Sequence, residues 1–212
     1  MTRVKICGIT RPTDAEKAVE LGAWAIGLNH WEESRRRIER DVAAEIGRGL
    51  KRQVEVVGVF VNPTLDEVAD AVENAELTMV QLHGEEGPSF CSEVARRTGT
   101  KVIKALRVRS SEQVQEAEAY RVDYHLLDAH RTGMPGGTGR VFDYELIADR
   151  HSKIPLILAG GLMPATVADA IATVRPYAVD IATGVESEPG IKDPALMEAL
   201  FEAVPGTVSA EV

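Results

Sequence analysis

The stretch Val54–Leu82, VEVVGVFVNPTLDEVADAVENAELTMVQL, contains one complete strand–helix–strand unit. Val54–Phe60 is a short β-rich apolar run, and Asn62-Pro63-Thr64 offers capping side chains and a proline where a helix begins. Leu65–Asn74 carries the helical pattern, and Thr78–Leu82 is the next apolar run. A strand that returns to a strand through a helix implies parallel pairing with the helix as the crossover.

The same unit recurs in both directions. Further strands are expected at Val4–Cys7, Ala23–Leu28, Val102–Leu106, Val122–Leu127, Pro155–Leu158 and Ala178–Ile181. The expected helices between them are Asp14–Leu21, Val42–Leu50, Ser89–Arg97, Ser111–Ala119, Tyr144–Ala148, Thr166–Val174 and, begun by Asp193-Pro194, Pro194–Ala203. Eight units in 212 residues, about 26 each, predict a single (β/α)8 TIM barrel spanning 1–212. A doubly wound open sheet is the alternative. It wants a G-x-G-x-x-G turn after its first strand, and none follows here.

Composition narrows the function. Hydrophobic residues make up 44% of the chain, enough for a large core without disulfide or metal. With 24 Lys+Arg against 33 Asp+Glu the net charge is −9, the wrong sign for gripping a nucleic acid backbone. The two cysteines, Cys7 and Cys91, form no C-x-x-C pair, so neither a disulfide framework nor a zinc site is expected. No run approaches the ~20 apolar residues of a membrane span. The apolar stretch at Met1–Cys7 is too short for a signal peptide. A cytoplasmic protein with reduced thiols and no membrane partner is the expectation.

In a barrel, reactive groups collect where strands end and the following loops begin. Cys7 ends the first strand, Asp128 follows the sixth, and Asp180 lies in the eighth. Singly, a cysteine is most often a small buried hydrophobe, and a loop carboxylate a local hydrogen-bond acceptor. Directed at one barrel mouth, the three together point to chemistry. Cys91, inside a helical stretch beside Phe90, keeps the structural reading.

Ala159-Gly160-Gly161-Leu162 and Ala182-Thr183-Gly184-Val185 follow strands seven and eight, where barrels bind phosphate through backbone N–H groups. Gly136-Gly137-Thr138-Gly139 reads equally as a mobile lid or an ordinary solvated loop. Within Ser34-Arg35-Arg36-Arg37, one arginine is suited to fork a substrate carboxylate while others face solvent. His83 reads as a hydrogen-bonded wall residue rather than a proton carrier.

Together the motifs resemble the phosphoribosylanthranilate isomerase family of tryptophan biosynthesis. They are Lys5–Thr10 (KICGIT), Val57–Asn62 (VGVFVN), Val80–Glu85 (VQLHGE), Leu127-Asp128, Gly136–Gly139, Leu158–Leu162 and Gly184-Val185-Glu186, with Pro189-Gly190 and Lys192-Asp193 behind. The resemblance runs almost end to end. It implies a (β/α)8 barrel that catalyses an Amadori rearrangement of N-(5-phosphoribosyl)anthranilate without metal or cofactor. Carried over, it makes Cys7 the base for the C2′ proton and Asp128 the acid for the ribose ring oxygen. Arg36 (or its neighbour Arg35) would hold the anthranilate carboxylate, and Asp180 would lie near the substrate amine. His83 and Gly137 would contact substrate, and Gly160, Gly161, Thr183 and Gly184 its phosphate. The expected state is monomer or homodimer, and the sequence does not choose between them.

This chain departs from the pattern at Leu28-Asn29-His30-Trp31-Glu32, where phenylalanine is usual, and at Arg35, where proline is common. The roles carry demands. The thiol, ordinarily near pKa ~8.5, is expected to be lowered by little more than one unit. Asp128 has to be held protonated far above its ordinary ~3.9, by burial against Leu126, Leu127 and ligand and by repulsion from Asp180. Two alternatives remain. One is a related isomerase that also takes the histidine-pathway aminoimidazole substrate; the other is a non-catalytic phosphosugar-binding barrel.

Overall fold

A computed structural model describes residues 1–108, 110–128, 147 and 150–205, and each expected strand within it is present. The strands are β1 (Arg3–Cys7), β2 (Ala25–Asn29), β3 (Glu55–Phe60), β4 (Met79–Leu82), β5 (Lys101–Arg107), β6 (Tyr124–Asp128), β7 (Leu156–Ala159) and β8 (Ala178–Ile181). They pair in parallel in chain order, and β1 closes on β8 with Arg3 opposite Ala178 through Ile6 opposite Ile181. The helices are α1 (Pro12–Glu20), α2 (Arg40–Leu50), α3 (Leu65–Ala75), α4 (Pro88–Thr98), α5 (Ser111–Glu116), α6 (Val167–Val174) and α7 (Pro194–Ala203). Of the expected helix Tyr144–Ala148 only Ile147 is described, in helical conformation and buried. The Gly136–Gly139 segment lies outside the described residues.

Each strand buries both faces, with different partners. On β1, Val4 and Ile6 join the layer between sheet and helices, whereas Lys5 and Cys7 point into the barrel, as the period of two requires. The interior is filled by Ala25, Val57, Met79, Ile103, Ala105, Leu126, Ile157 and Ala178. Trp24, Tyr124 and Tyr177 plug its N-terminal end with ring centroids 5.4–5.5 Å apart. This packed floor closes the interior at the N-terminal end.

Helix starts follow local chemistry. Thr64 caps α3 with a reciprocal box: its hydroxyl accepts from Glu67 N at 3.2 Å, and Glu67 accepts from Thr64 N at 2.7 Å. Asp193 accepts from Ala195 N and Leu196 N before Pro194 opens α7. Two details differ from expectation. The fifth helix stops at Glu116 and tightens into a 3-10 turn, Ala117–Ala119. The segment after β8, expected as a glycine loop, continues through a 3-10 turn (Thr183–Val185) into a small hairpin, β9 (Glu186–Glu188) and β10 (Ile191–Lys192). Gly190, at φ 86°, makes its turn.

Candidate active site

A cavity of 370 Å³ opens at the C-terminal mouth, lined by Cys7, Arg36, His83, Asp128, Gly160, Gly161, Asp180 and Thr183 among others. Eight of the ten expected site residues thus meet in one place. Gly184 is not in the lining; a side chain there would meet the Leu162 carbonyl at 2.0 Å, so this glycine lets the loops after β7 and β8 touch. Gly137 lies outside the described residues.

The base position is built from β1 and β8. Lys5 is wholly buried and donates to Asp180 Oδ1 at 2.7 Å. Burial pulls Lys5 down, but Asp180 and Cys7 outweigh it and hold the ammonium above its ordinary value. The Cys7 thiol is pushed up, first by burial and then by the Asp180 charge, against the opposing pull of Lys5 and Lys192. This reverses the expected lowering. Desolvation of a thiolate at the end of β1, together with the Asp180 charge, outweighs the two ammonium groups.

Across the mouth, Asp128 ends β6 with its side chain 21% exposed, and His83 Nε2 lies 3.8 Å from its Oδ2. The Gln81 side-chain amide hydrogen-bonds His83 Nδ1 at 3.1 Å, which holds the ring with Nε2 towards Asp128. Leu126 lies in the interior, two residues before Asp128 on β6. Leu127 does not help to bury it, because alternation turns Leu127 outward to the helices. The loop that carries His83 is fastened from behind. Lys104, 1% exposed, donates to Glu86 Oε2 at 2.6 Å and Gly84 O at 2.8 Å, while Glu86 accepts from Asn62 N and Gly84 N.

Arg36, not Arg35, faces the cavity; Arg35 is exposed. The Arg36 fork grips Glu186, with Nε at 2.8 and 3.1 Å and Nη2 at 2.7 Å. Gly8 makes this possible. At φ 74° it turns the chain sharply, and a side chain there would meet Arg36 Cδ at 2.5 Å. Burial alone would raise Glu186, but its hydrogen bonds to Arg36 and Lys192 hold it below the usual carboxylate range. Gly160 and Gly161, at φ 108° and 66°, turn the backbone after β7 towards Thr183.

Several lining or supporting groups escaped the sequence reading: Lys5, Asn29, Gln81, Arg107, Glu186 and Lys192. Lys5 had a signal, since a lysine two residues before Cys7 in a strand shares its face. Among the described residues, no cluster of three or more His, Cys, Asp or Glu side chains is arranged to hold a metal ion. None of the described helices is long and apolar enough to cross a membrane.

Fold and site together define a (β/α)8 barrel enzyme for acid–base chemistry on a small anionic molecule. A family profile described as N-(5'phosphoribosyl)anthranilate (PRA) isomerase matches residues 4–203. The N-(5'-phosphoribosyl)anthranilate isomerase of Citrifermentans bemidjiense is 47% identical over 201 residues, 95% of this chain and 96% of its own. The phosphoribosyl anthranilate isomerase structure from Thermotoga maritima is similar at 40% identity and TM-score 0.86, covering 96% of this chain and 98% of that one. A further solved isomerase, in complex with reduced 1-(o-carboxyphenylamino)-1-deoxyribulose 5-phosphate, is 38% identical with TM-score 0.83, over 96% and 98% of the two chains. The chain belongs to the N-(5'-phosphoribosyl)anthranilate isomerase family. It is an isomerase of tryptophan biosynthesis.

Proposed function

We propose that the rearrangement of N-(5-phosphoribosyl)anthranilate runs here between Asp128 as acid and Cys7 as base. One observation carries the assignment. The carboxylate on β6 and the thiol on β1 line the same cavity from strands separated by β7 and β8, the two whose loops are suited to phosphate. A sugar phosphate anchored at Gly160, Gly161, Thr183 and Gly184 then lies with its ring between the two groups. The ligand of the solved isomerase complex has the same pieces: a phosphate, an open five-carbon sugar and a carboxyphenylamino group.

Asp128 gives its proton to the ribose ring oxygen, and the C1′–O bond breaks. The nitrogen lone pair forms the C1′=N bond as an iminium ion. Cys7 takes the C2′ proton, and the C2′–H electron pair neutralises the iminium as an enolamine. Tautomerisation then yields the 2′-ketone. Arg36 retains N–H groups beyond those on Glu186, and these hold the anthranilate carboxylate. The substrate amine donates to Asp180. That bond offsets part of the negative charge raising Cys7, so the thiolate forms as substrate arrives. His83 and Gly137 complete the substrate contacts. No cofactor or metal enters the scheme. The whole chain, 1–212, serves as one barrel domain in the cytoplasm, as monomer or homodimer.

The test is loss of anthranilate fluorescence on adding the substrate, with the aminoimidazole substrate of histidine synthesis run in parallel. Turnover of the first alone is expected. Cys7→Ser should lower kcat by at least ~10²-fold with KM little changed, and Asp128→Asn should abolish ring opening while product still binds. Binding of both substrates without turnover would mean a phosphosugar-binding barrel. An Asp128→Asn enzyme within tenfold of the parent would hand the acid role to Asp180 or His83.

A further inference from the structure

Lys192 belongs to a two-residue strand in a loop, yet its side chain is wholly buried. Its Nζ lies 2.6 Å from the Cys7 carbonyl, 3.0 Å from the Ala182 carbonyl and 2.9 Å from Glu186 Oε1. Three acceptors around one nitrogen match the three N–H groups of an ammonium. The two carbonyls are not arbitrary. The β1–β8 ladder ends with Ile6 opposite Ile181, and Cys7 and Ala182 are the next residue on each strand. Where the backbone ladder stops, Lys192 takes its place and ties the end of β1 to the end of β8.

The third partner connects this tie to the arginine fork. Glu186, its side chain 5% exposed, accepts Lys192 on Oε1 and Arg36 on both oxygens, and Gly190 N donates to Oε1 at 3.3 Å. Lys192 is itself held from behind: its backbone N–H donates to Asp14 Oδ2 at 3.1 Å, and Arg11 clamps both oxygens of Asp14. The cluster of Arg36, Lys192 and Glu186 carries one net positive charge beside the Cys7 strand end.

We propose that Lys192 is a positioning residue that sets the Cys7 base and the Arg36 fork relative to each other, through the Cys7 and Ala182 carbonyls on one side and Glu186 on the other. This deepens the proposed reaction and rests on its assignment of Cys7 and Arg36. A lysine that merely filled the barrel rim would affect stability alone. A positioning lysine affects the thiol and the fork separately. The charged groups around Cys7 are Lys5 on its own strand, Asp180 on β8, Lys192 on β10 and Arg36 from the loop after β2, with Glu186 behind the last two. Removing Lys192 takes one of the cations that oppose the upward shift of the thiol.

Three variants test this, with the solvent-exposed face of the barrel untouched. Lys192→Met should lower kcat/KM by about 10²-fold, and the acid limb of its pH profile should move up by about one unit. Lys192→Arg keeps the charge but its planar fork cannot meet all three acceptors, so it should restore the limb and recover only part of kcat. Glu186→Gln leaves an acceptor for Lys192 while weakening the grip on Arg36, and should raise KM about tenfold with a smaller loss in kcat. A readout independent of turnover is the pH dependence of Cys7 alkylation by iodoacetamide, in a Cys91→Ser background. Its midpoint should rise in Lys192→Met and return in Lys192→Arg. If Lys192→Met does not fold, Lys192→Arg and Glu186→Gln decide. KM and kcat within twofold of the parent in all three variants, with no upward shift of the alkylation midpoint in Lys192→Met, overturn the proposal. A parent enzyme that fails to isomerise the substrate would instead overturn the assigned reaction, while the alkylation series still reads the lysine.

Discussion

Gly27 lies opposite Cys7 in the β1–β2 ladder, and its missing side chain is part of the site. A methyl group there would stand 2.7 Å from Cys7 Sγ and 3.1 Å from Lys5 Nζ. Both atoms end side chains that point into the barrel, so the thiol is the group that would move. A base displaced by a fraction of an ångström to one ångström loses up to about 10²-fold in rate. Gly27→Ala should therefore lower kcat by about 10- to 100-fold while KM changes little. Unchanged turnover in this variant would show that the thiol does not act from its observed rotamer. Cys7 also shows why residue type alone misleads about charge. Its exposure is only 9%, and burial with Asp180 defeats two nearby ammonium groups.

Elements differ in what holds them. Helix α3 begins at a capping box written within four consecutive residues, Thr64 to Glu67. Such a cap contributes about 1 kcal/mol, which in a domain of this size is about 2–4 °C in Tm. Thr64→Ala should lower Tm by that amount and leave kcat and KM unaltered. A change in kcat would mean that the loop after β3 reaches the substrate. The β9–β10 hairpin is held quite differently. Its anchors are Lys192 on the Cys7 carbonyl and the Thr10 hydroxyl, which donates to the Gly190 carbonyl. Those partners lie about 180 residues away in sequence. A local reading of Gly184–Lys192 sees turn residues and no reason for a strand.

The closed barrel as a whole decides which polar groups lose water, and His30 records that in its titration. The ring stacks on Phe60 with centroids 4.9 Å apart, Nε2 finds no partner among the described residues, and its pKa falls to about 4. Burial is the main cause, with Arg37 and Arg40 adding repulsion. In the unfolded chain histidine titrates near ~6.5, so between pH 6.5 and 4 the unfolded state binds a proton that the folded state refuses. Stability therefore falls as pH drops through that window, by on the order of 2–3 kcal/mol at pH 4.5 from this ring alone. His30→Phe removes the proton-binding group and should flatten the decline. Urea midpoints at pH 7 and pH 4.5 check it, and an equal loss in parent and variant would sink the argument.

The sequence by itself determined the alternation of eight strands with helices, and so the closed parallel barrel, because hydrophobic period and caps are local properties. It also placed Cys7, His83, Asp128, Gly160, Gly161, Asp180 and Thr183 at one mouth, because strand ends in such a barrel share an end, but left Arg36 and Arg35 both open. Tertiary structure decided what those groups are paired with. Lys5 meets Asp180 across 175 residues, Arg36 meets Glu186 across 150, and Lys192 meets Cys7 across 185. It also decided the protonation of Cys7, which depends on burial and on charges brought together only when β1 and β8 close. Composition and spacing contain neither distance nor desolvation. Both arise when the chain folds and excludes water from the barrel.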